Sequence, residues 1–127
     1  MREFITSTVC YEHNVSMYEI KSSKRDEELV FSRQLIAYLL SLYGKIRKKD
    51  VCEVINRNRL TVDYSIKTIR NYLDTDPERK KRILKIEKII QSKVNEEKIK
   101  DKKLGLMDRL IALEEEIINI KLELKSA

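Results

Sequence analysis

From Arg57 to Ile69 the chain reads RNRLTVDYSIKTI, and this stretch limits the possible folds more than any other. Wound as a helix of about 3.6 residues per turn, it brings Val62, Ile66, Ile69 and, beyond it, Leu73 to one face. Arg57, Asn58, Arg59, Thr61, Tyr64, Lys67 and Arg70 fall on the opposite face and in the first turn. Asn58 is a good N-cap, because its side chain can accept from a free N–H of that turn. A short apolar segment, Val51, Val54 and Ile55, precedes it by only a few residues. Two glycines and one proline in 127 residues leave little turn chemistry for an all-β fold, while Lys, Glu, Leu and Ile dominate. The expected class is all-α.

A short helix, a tight turn and a basic second helix with long polar donors at its start is the layout of a helix-turn-helix. In that motif the second helix offers its N-terminal residues to base edges in the major groove of DNA. Charge placement agrees. The net charge is +6, and between Lys21 and Arg70 twelve Lys and Arg stand against six Asp and Glu. Such a local excess favours a polyanion, although the same side chains would also make a solvated helical surface. Arg57, Asn58, Arg59 and Thr61 are the candidate base-reading residues, and Lys67 a candidate phosphate contact.

The remainder of the chain is expected to supply a helical domain, residues 1–92, and a helical extension, residues 93–127. A first helix covers Phe4 to Tyr11, with Phe4, Ile5, Thr8 and Val9 inward. Ser16 and Glu19 have the spacing of a capping box, so a second helix begins at Met17. A longer helix runs from about Asp26 to Tyr43, with Glu27 and Glu28 in its first turn, where the helix dipole favours them. Its core stripe is Leu29, Ile36, Leu40 and Tyr43, and Gly44 ends it. KIRKK leads into the first helix of the motif, Lys48 to Ile55, and the second continues to about Asp74. Asp76 and Pro77 give a cap followed by a proline at the first helical position, and Ile83, Ile86 and Ile90 continue a stripe against the domain.

In the extension, Leu106, Leu110, Leu113, Ile117, Ile120 and Leu124 alternate by four and three, as successive d and a positions of a coiled coil. In that register Arg109 and Glu116 fall at g, and Glu114 and Lys121 at e. A parallel pair would set Arg109 beside the partner's Glu114 and Glu116 beside the partner's Lys121, each contact worth a few tenths of a kcal/mol (about 0.3). Met107, Ile111, Ile118 and Leu122 widen the stripe beyond a simple seam. A homo-oligomer is the leading expectation; a helical hairpin bending near Gly105, a larger bundle, and packing back on the domain stay open.

Several classes find no support. Cys10 and Cys52 match no metal or disulfide spacing and read as reduced, buried small hydrophobes. His13, the single histidine, cannot build a His-based metal site or triad and reads as a loop residue. The longest apolar run, LIAYLL, is too short to cross a bilayer, and the N-terminus has no signal-peptide core, so the expected location is the cytoplasm. No GxxxxGK[ST] occurs, so no nucleotide and no other cofactor is expected. Scattered carboxylates and the lack of a glycine-rich loop argue against an enzyme.

Four segments in order, VCYEHNVSMYEIKSSKR, SRQLIAYL, KKDVCEVI and the Arg57–Ile69 stretch, carry a resemblance. From about Val9 to Ile90 the chain resembles the C-terminal DNA-binding domain of the bacterial replication initiator DnaA, a Trp-repressor-like helix-turn-helix. The resemblance does not extend to the initiator's nucleotide-binding module. It implies double-stranded DNA as partner, with Arg25 in the minor groove and Lys24 just before it as a phosphate contact. It places Gln34 at a phosphate, and Lys48 and Lys49 where backbone N–H groups of a helix start hold phosphates. Arg33 is expected to brace the fold rather than to read sequence.

The signature itself departs from the family, which shows an acidic residue, a histidine and two threonines before a valine. Here the matching positions are Asn58, Arg59, Leu60, Thr61 and Val62, with one residue fewer in the preceding turn. Arginine pairs bidentately with guanine and asparagine with adenine, while an apolar side chain suits a thymine methyl. The preferred DNA sequence should therefore differ from the standard initiator box. Alternatively, Leu60 tucks inward and Asn58 merely caps, leaving Arg59 and Thr61 as readers. The leading expectation is sequence-dependent, non-catalytic DNA binding in replication or transcription control. The other is a helical interaction module that no longer reads bases.

Overall fold

A computed structural model describes residues 1–126. Six helices follow one another: α1 (Arg2–His13), α2 (Met17–Lys21), α3 (Glu27–Tyr43), α4 (Lys48–Ile55), α5 (Arg59–Thr75) and α6 (Pro77–Ser126). Among the described residues there is no strand, and no helix is long and apolar enough to cross a membrane. The chain divides into two compact units, Met1–Ile90 and the part from Gln91 onward.

In the first unit α3 is the hub, packed by α1, α2, α4 and α5. Every residue from Phe31 to Leu40 is buried, not only the stripe of Leu29, Ile36 and Leu40; Tyr43 is half-buried and donates its hydroxyl to Glu87 Oε1 at 2.6 Å. A helix enclosed on all sides needs apolar residues all round, and its two long polar side chains need partners. Arg33 has them. Its guanidinium donates to the carbonyls of Ile20 at 2.7 Å, Lys24 at 3.1 Å and Ser22 at 3.3 Å. The first turns of α6 close the unit through Ile83, Ile86 and Ile90, all fully buried. Arg82 pairs with Glu28 and Arg79 with Glu27, and Arg79 lies 4.4 Å above the Tyr72 ring.

Local signals fall where the residues put them. Ser16 and Glu19 form the reciprocal capping box of α2, and Asp76 Oδ1 accepts from Arg79 N at 3.1 Å at the start of α6. One residue differs from expectation, and one does its expected work for another reason. His13 is not in a loop: it is the last residue of α1, buried, and stacked on Phe31 with centroids 5.5 Å apart. Gly44 ends α3 with φ −76°, an ordinary right-handed conformation, and the left-handed residue is Lys45 at φ 52°. A glycine stands at 44 for room, because a Cβ there would lie 2.6 Å from the Leu40 carbonyl oxygen.

The second unit is helical. The helix passes through Gly105 without a break, so the hairpin considered there does not form. Nothing lies within 4 Å of a Cβ placed on Gly105, and Leu106, Leu110, Leu113, Ile117, Ile120 and Leu124 are all more than half exposed.

Candidate nucleic-acid interface

The site begins at the turn between α4 and α5. Asn56 ends α4 in the left-handed conformation, φ 55°, which asparagine tolerates better than most residues. Its Nδ2 donates to the Lys21 carbonyl at 3.1 Å. Asn58 then caps α5, its Oδ1 accepting from Thr61 N at 2.9 Å. The cap leaves Asn58 its Nδ2 donor.

The helix that follows divides cleanly. Val62, Ser65 and Ile69 are buried against the domain, with Ile66 and Leu73 half-buried beside them. Asn58, Arg59, Leu60, Asp63, Tyr64, Lys67, Arg70 and Asn71 are exposed and Thr61 half-exposed. Leu60 is not tucked inward: it is 80% exposed, and Tyr64, one turn later, is 65% exposed. Helical periodicity placed Tyr64 on this open side and left Leu60 undecided. Each stands on the side of α5 opposite its buried stripe.

Arg57 is turned toward its own chain. Its guanidinium donates to the carbonyls of Ser22 at 2.6 Å, Asn56 at 2.8 Å and Ile55 at 3.3 Å. Arg33 and Arg57 thus grip the segment from Ile20 to Lys24 from two sides and fix the loop that presents Lys24 and Arg25, both exposed. Arg25, Arg33, Gln34, Arg57, Thr61 and Tyr64 line one concavity of about 350 Å³. Gln34 lies buried in its wall. Burial, and then the charges of Arg57 and Arg25, push the pKa of Arg33 below its ordinary value.

A second cationic group stands at the start of α4. No side chain caps this helix, and Arg47, Lys48 and Lys49 are exposed there. Lys48 Nζ meets Asp63 Oδ1 at 2.6 Å, which ties α4 to α5 and neutralises the one acidic side chain in the first two turns of α5. Lys67 is exposed two turns beyond Leu60.

The arrangement can be compared with known proteins. Residues 2–69, more than half of the chain, match the family described as bacterial DnaA protein helix-turn-helix. The chain belongs to that family. A relative is the chromosomal replication initiator protein DnaA of Kosmotoga olearia, 34% identical over 67 residues, which are 53% of this chain and 15% of that protein. The chain therefore spans a small part of the length of the DnaA relative it matches. The DnaA match runs from α1 into α5 and ends at Ile69, so it takes in the α4–turn–α5 motif, the Ile20–Arg25 loop and the α3 hub.

Proposed function

We propose that this chain binds double-stranded DNA in a sequence-dependent way, without catalysis, and serves in the control of replication or transcription. The observation that carries the proposal is the open polar side of α5. From Asn58 to Lys67 its side chains are exposed, Thr61 half so; it starts on a cap in a helix-turn-helix of the DnaA family, and its one acidic residue there is paired. Major-groove readers need that side clear and cationic neighbours to hold the backbone. Crowding of Arg25, Arg33 and Arg57 points the same way, because phosphates would relieve a repulsion the folded chain bears alone.

Arg59 and Thr61 are the leading base readers, joined by Asn58 through its Nδ2. Arg57 reads a base only if it gives up its carbonyl partners; in the folded chain it positions the loop carrying Arg25, which is assigned to the minor groove. Lys24, Lys49 and Lys67 are assigned to phosphates, with Lys48 once it exchanges Asp63 for the backbone, and Gln34 from the wall of the concavity. Six seam residues, each more than half exposed, support self-association through the C-terminal helix, which would place two readers in one assembly.

Fluorescence anisotropy against a selected duplex tests the assignment. Affinity is expected to fall linearly on a log–log plot against salt, and Lys49→Ala to lower that slope by about one while weakening all sequences alike. Arg59→Ala should cost about 1–3 kcal/mol at one base pair and relax preference there. Equal affinity for every duplex, unchanged by Arg59→Ala, would favour the interaction module instead.

A further inference from the structure

We propose that Leu60 and Tyr64 recognise thymine methyl groups in the floor of the major groove. This rests on the reading of α5 as the DNA-facing helix and adds a source of specificity that the polar residues do not supply. Leu60 and Tyr64 are 80% and 65% exposed, although a leucine and a tyrosine gain from leaving water. They stand one turn apart and continue into Lys67, along the ridge opposite the buried Val62, Ser65 and Ile69. When a helix lies in the major groove, the ridge turned away from its own domain faces the base edges, so these two side chains can meet them beside Arg59 and Thr61.

What they meet there is set by chemistry. Base edges in the major groove are donors and acceptors at every pair except for one apolar group, the C5-methyl of thymine. Leu60 has no polar atom and can favour only that group. The Tyr64 ring can pack on a second methyl while its hydroxyl reaches an adjacent edge. Exposed cations on each side, Arg59 and Lys67 on the helix and Arg25 and Lys49 beside it, suit a duplex rather than an apolar protein surface as the occupant.

Deoxyuridine removes only the methyl and keeps every hydrogen-bonding edge. Each thymine of a selected duplex is replaced singly and its affinity measured for the full chain, for Leu60→Ala, and for Tyr64→Ala and Tyr64→Phe. At one or two positions the parent chain should weaken by about fourfold per methyl lost. Leu60→Ala should bind thymine and uracil duplexes equally at its position while keeping the parent's salt slope. Tyr64→Phe should keep discrimination at the neighbouring position and Tyr64→Ala lose it. Thermal midpoints should match the parent's, since neither side chain is buried. Sequence preference that survives with no uridine-sensitive position, or discrimination undiminished in Leu60→Ala, overturns this inference and leaves DNA binding standing. Failure to bind any duplex overturns both.

Discussion

His13 is a polar residue that the sequence could not place and the fold makes structural. Ser32 donates its hydroxyl to the Glu28 carbonyl at 2.8 Å, so His13 Nδ1–H donates to Ser32 Oγ at 2.6 Å. Nε2 is then an unprotonated, buried atom without a hydrogen-bond partner among the described residues. Burial first, and the Arg82 charge second, lower the pKa of His13. The folded chain thus resists a proton that the unfolded chain accepts near about pH 6.5. Stability from this site is complete above that value and is lost as the pH falls through it. His13→Gln should flatten the thermal midpoint between about pH 7 and pH 5, and because the chain has one histidine the difference reports this group. Asp63 makes a second prediction at this scale. Asp63→Asn frees Lys48 and removes a negative charge from the DNA side, so duplex affinity should rise about threefold at low salt, with the gain vanishing at high salt. The chain's pattern displayed Asn58 as a cap and Thr61 beside it, but left Leu60 open between a base-facing and an inward position, because an apolar residue beside a cap fits either. Exposure alone distinguishes a leucine that packs from one that is presented.

Among the elements, those with a cap or one-sided burial were legible. α2, α4 and α5 lie within a residue or two of where Ser16, Lys48 and Asn58 put them. α3 was legible in extent but not in role. Arg33 and Gln34 look like a polar face in sequence, yet both are buried, because carbonyls of a neighbouring segment satisfy the arginine's donors. No local pattern encodes that, since the partners come from Ile20, Ser22 and Lys24; only the family resemblance pointed to Arg33 as a brace. The two glycines, alike in sequence, part company here. Gly44→Ala would push a Cβ to 2.6 Å from a backbone oxygen and should destabilise the fold by about 1–3 kcal/mol in a denaturant titration. Gly105→Ala meets nothing and should raise helix stability by about 0.5–1 kcal/mol.

For the whole molecule, charge and apolar exposure separate the two units. Lys and Arg outnumber Asp and Glu by six within Met1–Ile90, whereas from Gln91 onward each sign has eight. Attraction to a polyanion therefore belongs to the first unit, and the second offers apolar side chains instead. Exposed apolar stripes of that length favour association. Sedimentation equilibrium is expected to show more than one protomer per particle, and Leu113→Glu with Ile117→Glu to return it to a monomer with one-reader DNA affinity intact. The central claim is that the open side of α5 reads duplex sequence. Its most direct measurement is selection of bound duplexes from a random pool, run in parallel with the parent chain and Arg59→Ala. The parent should enrich one motif, and Arg59→Ala the same motif with one base pair relaxed; recovery of all sequences alike, or no duplex retained above background at low salt, would contradict it.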